Sequence, residues 1–411
     1  MKSGSIVFAT ILSTLLFSGC KSAQESGKSP SAATPPQKAT VAEIESPAPA
    51  GSAEPNLSTG ADGKVYLSWI ESSNGKSSLK FSTMSENQPW SAAATVAEGQ
   101  HWFINSSDFP SLIALPNGTL AAHWLGDSKE DTEAYNVNIS ISKDSGKTWS
   151  KPIIPHSDRS MNEHGFVSLI ALGASQLGVV WLDGKKLKDE VGDMALMFTT
   201  MDLDGKVGKE NMLDGRVCEC CQTSAAPTPD GLIIAYRDRS DKEIRDISTI
   251  RMVKDSWTPS QIVHPDNWEI DGCPVNGPAI STAGSHAALA WFTAPHDQSQ
   301  VNVALSSDGG KTFGNPVRVD GGTPVGRVGI TALESGSALV SWVEQTDKGT
   351  QVRLRRIDAG GASPDILIPS EKSSSSFTAV PRITRSGNLV VVAWTDKETP
   401  SKVHTATMKL D

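Results

Sequence analysis

The chain has 411 residues, a formal net charge of −9, and acidic and basic side chains interspersed along its length. That balance argues against nucleic acid as a partner, because binding a polyphosphate needs a basic stripe that releases counterions. A chain this long exceeds one ordinary core and calls for two domains or a repeat architecture.

The first twenty residues, MKSGSIVFATILSTLLFSGC, contain one lysine, an apolar stretch over 6–17, two small residues and a cysteine. The apolar run is too short to span a bilayer and has the form of a secretory signal over 1–19. Its ending, LFSGC, resembles the lipobox of bacterial lipoproteins, which implies cleavage before Cys20 and acylation of the Cys20 sulfur. Lys21 is not the aspartate of an inner-membrane retention signal, so an outer-membrane lipoprotein of the cell envelope is expected, periplasmic or surface-facing. The lipid would be its sole membrane contact. Residues 20–37 are Ser, Ala, Pro, Lys, Gln and Gly with few bulky apolar side chains, and cannot bury enough surface to offset their ordering entropy. They read as a disordered tether, leaving 38–411 as the folded part, expected to act as a monomer.

That part is organised by a repeat. Trp69, Trp124, Trp181, Tyr236, Trp291, Trp342 and Trp394 each end a short apolar run of the form VYLSW or LGVVW, at spacings of 55, 57, 55, 55, 51 and 52 residues. Each run follows a short strand and a Gly-containing turn, and precedes a third strand such as VNISIS (137–142) and usually a fourth such as KPIIP (151–155). Four short strands per unit, with almost no helical periodicity, predict an all-β fold: a single β-propeller of four-stranded blades.

Two turns after the third strand, SKDSGKTW (142–149) and SSDGGKTF (306–313), share the pattern S-x-D-x-G-x-T-[WF]. This resembles the Asp box, or bacterial neuraminidase repeat, of sialidase-like propellers, and the resemblance extends over nearly all of the globular chain. It implies structural roles for Asp144, Gly146, Trp149, Asp308, Gly310 and Phe313, on the face away from any active site. The last unit ends at its third strand, whereas KATVAEIE (38–45) resembles the fourth strand of the first unit, AAATVAEG (92–99). The N-terminal segment is therefore expected to complete the last blade and close a ring of seven, with six blades as the alternative.

The repeat and the Asp-box positions account for nine of the eleven tryptophans, leaving Trp102 and Trp268. Both lie in connectors that join one blade's fourth strand to the next blade's inner strand, where a propeller opens toward its axis and where ligand sites are usual. Asp108, His164, Asn276, Arg327 and Arg382 occupy such connectors, and the charge-dense loop YRDRSDKEIRD (236–246) adds Arg237, Arg239 and Arg245. A charge run is ordinarily a solvated loop; three arginines beside a cysteine-rich connector also suit an anion.

That connector, RVCECCQTS, holds Cys218, Cys220 and Cys221, and Cys273 begins the next blade, so all four sulfurs are expected to meet near the axis. In an oxidising compartment the first reading is disulfides, with Cys220–Cys273 and Cys218–Cys221 as one workable pairing. The second is a thiolate site for Cu(I) or Zn with His164 as an added ligand, and the third is redox exchange.

The family resemblance implies three arginines around a carboxylate, one in an Arg-Ile-Pro motif of the first blade, with a tyrosine nucleophile, a glutamate that activates it and an aspartate acid. Here the first unit reads AEPNLSTGADG (53–63), without arginine, and PRITR (381–385) in the last unit lacks the proline. Tyr135 is the one candidate nucleophile, with Glu133 too close in sequence to serve as its activator, and Asp108 the candidate acid. Two functions follow: a non-catalytic propeller that binds a small ligand, glycan or soft metal ion at a cysteine-rich axial face, or a divergent glycosidase acting on an acidic sugar.

Overall fold

The architecture comes from a computed structural model that describes residues 1, 41–127, 134–187, 192–347, 349–364, 366–368, 380–396 and 399–410. Cys20, the tether and Glu133 lie outside these residues. All strands belong to one unit, Ala39–Asp411.

Seven antiparallel sheets follow one another along the chain, each an up-and-down meander, so the count is seven blades rather than six. Blade 1 consists of Ser52–Thr59, Val65–Ser73, Lys76–Met84 and Ala94–Gly99. Blade 2 consists of Ser111–Ala114, Leu120–Asp127 and Tyr135–Ser142. In blade 3 the strands are His164–Leu172, Gln176–Asp183, Met194–Asp202 and Asn211–Val217, and blade 4 opens with Ser224–Thr228, Gly231–Arg237 and Ile247–Val253. Blade 5 runs through Ala279–Ala283, His286–Thr293, Gln300–Ser306 and Val317–Arg318, and blade 6 through Pro324–Ala332, Ala338–Thr346 and Gly349–Asp358. Blade 7 has Arg382–Ser386, Leu389–Thr395 and Val403–Lys409, and its outer edge pairs with Ala42–Ile44 from the other end of the chain, in the register Ala42 to Thr407. First strands of successive blades adjoin all the way round, the seventh meeting the first.

Outer strands are the weakest elements, and proline explains where they fail. The fourth strand expected at 151–155 is a single bridge, Ile139 to Ile153, flanked by Pro152 and Pro155, which have no N–H to pair. In blade 4 the outer edge splits into Ser256–Trp257 and Gln261–Ile262 around Pro259, and in blade 6 into Gly361–Ala362 and Ile366–Leu367 around Pro364.

Second strands behave differently from ordinary half-buried strands. Val65 to Ile70, Leu177 to Asp183 and Leu389 to Thr395 are buried at every position, because a neighbouring blade covers each face of the sheet. The apolar core is accordingly an annulus of separate clusters. Leu79, Val96 and Trp124 join blades 1 and 2, Tyr135, Val137 and Trp181 join blades 2 and 3, and Leu67, Trp69, Ala393 and Val403 join blades 7 and 1. The repeated tryptophan is the wedge. Its indole N–H finds an acid when buried: Trp69 donates to Glu71 (2.8 Å), Trp181 to Asp183 (2.8 Å) and Trp342 to Glu344 (2.5 Å), each two residues on, while Trp291 donates to Asp266 (2.7 Å) of the preceding connector.

The two Asp boxes are alike in atomic detail. Asp144 accepts from the Thr148 backbone (2.9 Å), the Thr148 hydroxyl (2.7 Å) and Ser142 (2.8 Å), and Asp308 accepts the equivalent bonds from Thr312 and Ser306. The box aromatic covers the seam to the preceding blade: Trp149 meets Phe81 edge-on at 6.1 Å, and Trp257, in an eroded box, meets Phe198 at 4.8 Å. Gly310 has φ +75°, and a Cβ there would lie 2.5 Å from Ile233 Cδ1 of blade 4. Gly310→Ala is therefore expected to lower unfolding stability by about 1–3 kcal/mol through combined strain and overpacking, measured by denaturant titration. Hydrogen bonds from the Thr148 backbone and hydroxyl and from Ser142 hold the Asp144 carboxyl down at about 2. Its folded value lies below the unfolded one of about 3.9, so its contribution is present at neutral pH and is lost as pH falls from about 4 to about 2. The melting-temperature gap between Asp144→Asn and the parent should close over that window.

Candidate functional site

Counting back fifteen residues from each of the first six repeat aromatics reaches Glu54, Phe109, Phe166, Cys221, Asn276 and Arg327. These positions lie at or just before the axial ends of the inner strands, and the backbone there is irregular. Glu54 (φ 55°), Phe166 (φ 53°), Val275 (φ 50°) and Arg327 (φ 57°) are left-handed, a conformation costly for side chains of this size. Register shifts mark bulges at the same level of blades 1, 3 and 6. Bulges re-aim side chains and concentrate next to functional sites.

Side chains hold this backbone in place. Asp108 accepts the Phe166 N–H (2.7 Å), and Asn276 Oδ1 accepts the Arg327 N–H (2.8 Å). Gly165 and Gly326 permit the approach, since a Cβ on either would collide with Asp108 or Asn276 respectively. Asp108 and Tyr135 do come together, the phenol donating to Asp108 Oδ2 (3.1 Å), with Phe103 stacked on the tyrosine ring at 4.1 Å. Both are enclosed: Tyr135 is 2% and Asp108 3% exposed. Burial pushes the Asp108 carboxyl up to about 7, against the opposing hydrogen bonds from Phe166 and Tyr135.

Residues from opposite sides of the ring meet here. Arg327 of blade 6 donates from Nη1 to Ser107 Oγ (3.0 Å), which enters blade 2, and to the Val275 carbonyl. Arg382 of blade 7 lies over the Phe109 ring, its Cζ 3.4 Å from the centroid. Its Nε and Nη2 are buried without a hydrogen-bond partner among the described residues, as is Oε2 of Glu54. Burial lowers the Arg382 guanidinium to about 9, opposed by Glu54, and raises the Glu54 carboxyl to about 7, opposed by Arg382. Unpartnered buried polar atoms are rare and signal a missing partner. Glu54 was not expected; the signal for it is its place in the fifteen-residue phase, shared with Arg327.

Several expected ligand-binding residues are engaged elsewhere. Arg237 is buried and donates to three carbonyls, those of Asn276, Arg245 and Phe292, while stacking on Trp268 at 4.9 Å. Arg239 pairs with Glu219 (2.7 Å) and Glu243 (2.9 Å), and Arg245 with Glu219 (2.5 Å) and Glu243 (3.0 Å), so the dense loop and the cysteine connector neutralise each other. Trp268 is a core residue packed edge-on against Phe292, and Trp102 stacks on Trp124 at 5.4 Å. Asn276 is a backbone brace, its Nδ2 donating to the Val325 carbonyl (3.2 Å) as well. His164 departs from the expected adjacency to the thiols. Its Nε2 lies 3.0 Å from Asp158 and 3.8 Å from Asp183, and its ring stacks on His156 at 4.0 Å, because it begins blade 3 while the cysteines enter blade 4.

The four sulfurs are gathered in one place. Cys220 and Cys273 are bonded, with Cα atoms 5.9 Å apart, and Cys218 and Cys221 are free thiols with Sγ atoms 3.2 Å apart. Cys218 Sγ lies 3.9 Å from Cys220 Sγ and accepts from Arg245 Nη1 (3.4 Å). A hydrogen bond from Cys221, with Arg237 and Arg245 nearby, lowers the Cys218 thiol, whereas burial and the neighbouring Cys218 raise Cys221.

Comparison with known proteins agrees with this architecture. The family model described as a BNR repeat-like domain matches residues 71–251. No curated protein matches the sequence. Among solved structures, the polysaccharide lyase Uly1 superposes with a TM-score of 0.54 at 11% identity, over 92% of this chain and 94% of that one. A Trypanosoma rangeli sialidase in complex with sialic acid gives 0.49 at 12% identity, over 85% of this chain and 60% of that one. NanB gives 0.43 at 13% identity, over 87% and 68%. At 11% identity the likeness to Uly1 is one of fold alone. The chain is thus a seven-bladed β-propeller in which residues 71–251 match the BNR repeat-like model.

Proposed function

We propose that the axial face binds a small anionic ligand of the carboxylated-sugar class, without turning it over. The observation that carries this reading is Arg382, whose Nε and Nη2 are buried without a partner among the described residues. A guanidinium fork matches the two oxygens of a carboxylate, and burial strengthens the pairing by excluding water. Phe109 supplies an apolar floor beneath the fork. Enclosure of Tyr135 and Asp108 favours binding over catalysis, since their mutual hydrogen bond braces the Phe166 bulge.

Calorimetry with N-acetylneuraminic acid and galacturonic acid against neutral galactose tests it. Acidic sugars should bind and galactose should not; Arg382→Ala should weaken binding about tenfold to hundredfold, the worth of one or two hydrogen bonds to a charged group. Equal binding of galactose, or no effect of Arg382→Ala, ends the proposal. Glu54 competes with the ligand for Arg382 when ionised, and its carboxyl is raised to about 7. Affinity should therefore rise as pH falls through about 7, and Glu54→Gln should flatten that profile.

A second reading, a hydrolase of acidic sugars, is favoured by the Tyr135 to Asp108 contact of 3.1 Å. It requires turnover of a fluorogenic sialoside that disappears in Tyr135→Phe; absence of turnover in the parent removes it.

Delivery to the envelope is part of the same proposal, supported by the LFSGC ending of the leader. A radioactive fatty acid should label the protein in growing cells, and Cys20→Ala should abolish the label. Persistent label in that variant would place the lipid elsewhere.

A further inference from the structure

The cysteine cluster has a layered arrangement that the binding proposal does not use. Cys273 is exposed and Cys220 half-buried, so their disulfide reaches the surface. Beneath it the Cys218 and Cys221 thiols are 1% and 2% exposed. Cys218 Sγ stands between the two pairs, 3.2 Å from Cys221 Sγ and 3.9 Å from Cys220 Sγ. Arg245 donates to the Cys218 sulfur (3.4 Å), and Arg237 adds a second cation near it, so this sulfur is the one favoured as thiolate. A thiolate that touches a disulfide can exchange with it.

We propose that the four sulfurs form an intramolecular thiol–disulfide exchange site, which moves the disulfide between the surface pair Cys220–Cys273 and the buried pair Cys218–Cys221. The Cys218 thiolate attacks Cys220 Sγ, forming a Cys218–Cys220 bond and breaking Cys220–Cys273, and Cys273 leaves as thiolate. Cys221, deprotonated as Cys273 takes up a proton, then attacks Cys218 Sγ, forming Cys218–Cys221 and releasing Cys220 as thiolate, which takes the second proton. Two electrons pass from the buried dithiol to the surface disulfide, two protons move with them, and no outside oxidant is consumed. The product exposes the Cys273 thiol and its half-buried partner Cys220 at the surface. The class of outside reactant this suits is a small disulfide or an exposed protein disulfide, which that reduced pair would reduce.

Alkylation of the native full-length chain with iodoacetamide, followed by trypsin and mass spectrometry, tests the exchange. The three clustered cysteines fall in one tryptic peptide, 217–237, and Cys273 in another, so the starting disulfide links two peptides and the product closes a loop within one. Two thiols per denatured chain besides Cys20 are expected, with time-dependent alkylation of Cys273 and growth of the looped 217–237 peptide. Cys218→Ser, which keeps the surface disulfide, should slow Cys273 alkylation at least tenfold. Cys221→Ser should still release Cys273 but accumulate the Cys218–Cys220 bond in place of the Cys218–Cys221 loop. Equal Cys273 alkylation in Cys218→Ser and the parent overturns the proposal. So does a parent with no thiols besides Cys20, or one with four besides Cys20 holding stoichiometric copper or zinc.

Discussion

Face-to-face packing of doubly buried second strands is the constraint on which the molecule depends. A strand such as Val65–Ser73 has apolar groups on both faces, and neither face can be left to water without losing about 1.5–3 kcal/mol for each large side chain exposed. Each blade therefore needs a neighbour on both sides, and a row with that requirement has no acceptable end until it closes. The wedge-like tryptophans, each with its indole N–H answered by an acid two residues later in blades 1, 3 and 6, fill the gaps. The Asp-box aromatics seal the same seams farther out.

Closure dictates where the chemistry falls. Inner strands converge on the axis, so one residue phase from every sector arrives at the same face. Glu54, Asp108, Cys221, Asn276, Arg327 and Arg382 are scattered over more than three hundred residues, yet hydrogen bonds or charge interactions link them directly or through one neighbour. The backbone at this level bulges and adopts left-handed conformations at Phe166, Val275 and Arg327, and side chains of the same face stabilise those irregularities. Strain, buried ionisable groups and orphaned donors coincide there, which is what separates this face from the regular sheets around it.

Charge density and ligand-binding capacity are different properties in this fold. The loop with the most arginines, 236–246, meets acids both within itself, at Glu243, and in the cysteine connector, at Glu219, so Arg239 and Arg245 have partners within a few ångströms. Arg237 is turned inward to tie carbonyls of blades 4 and 5 together. Arg382 keeps two buried donors, Nε and Nη2, without a partner among the described residues, whereas Arg216, Arg245 and Arg251 each lack one at Nε alone.

From the sequence alone came the all-β class, the seven-unit repeat, the Asp-box turns and the grouping of polar and sulfur-bearing connectors at one end of the blades. These are legible because burial periodicity and turn chemistry are written in neighbouring residues. Which arginine keeps two buried donors unpartnered among the described residues, that Trp268 belongs to the core, that His164 faces Asp158 rather than the thiols, and that Glu54 joins the site were decided by the tertiary structure. Their partners lie tens to hundreds of residues away and are brought within hydrogen-bond reach only when the ring is closed. A cysteine quartet can be read from spacing, but which sulfur touches which depends on the approach of two blades.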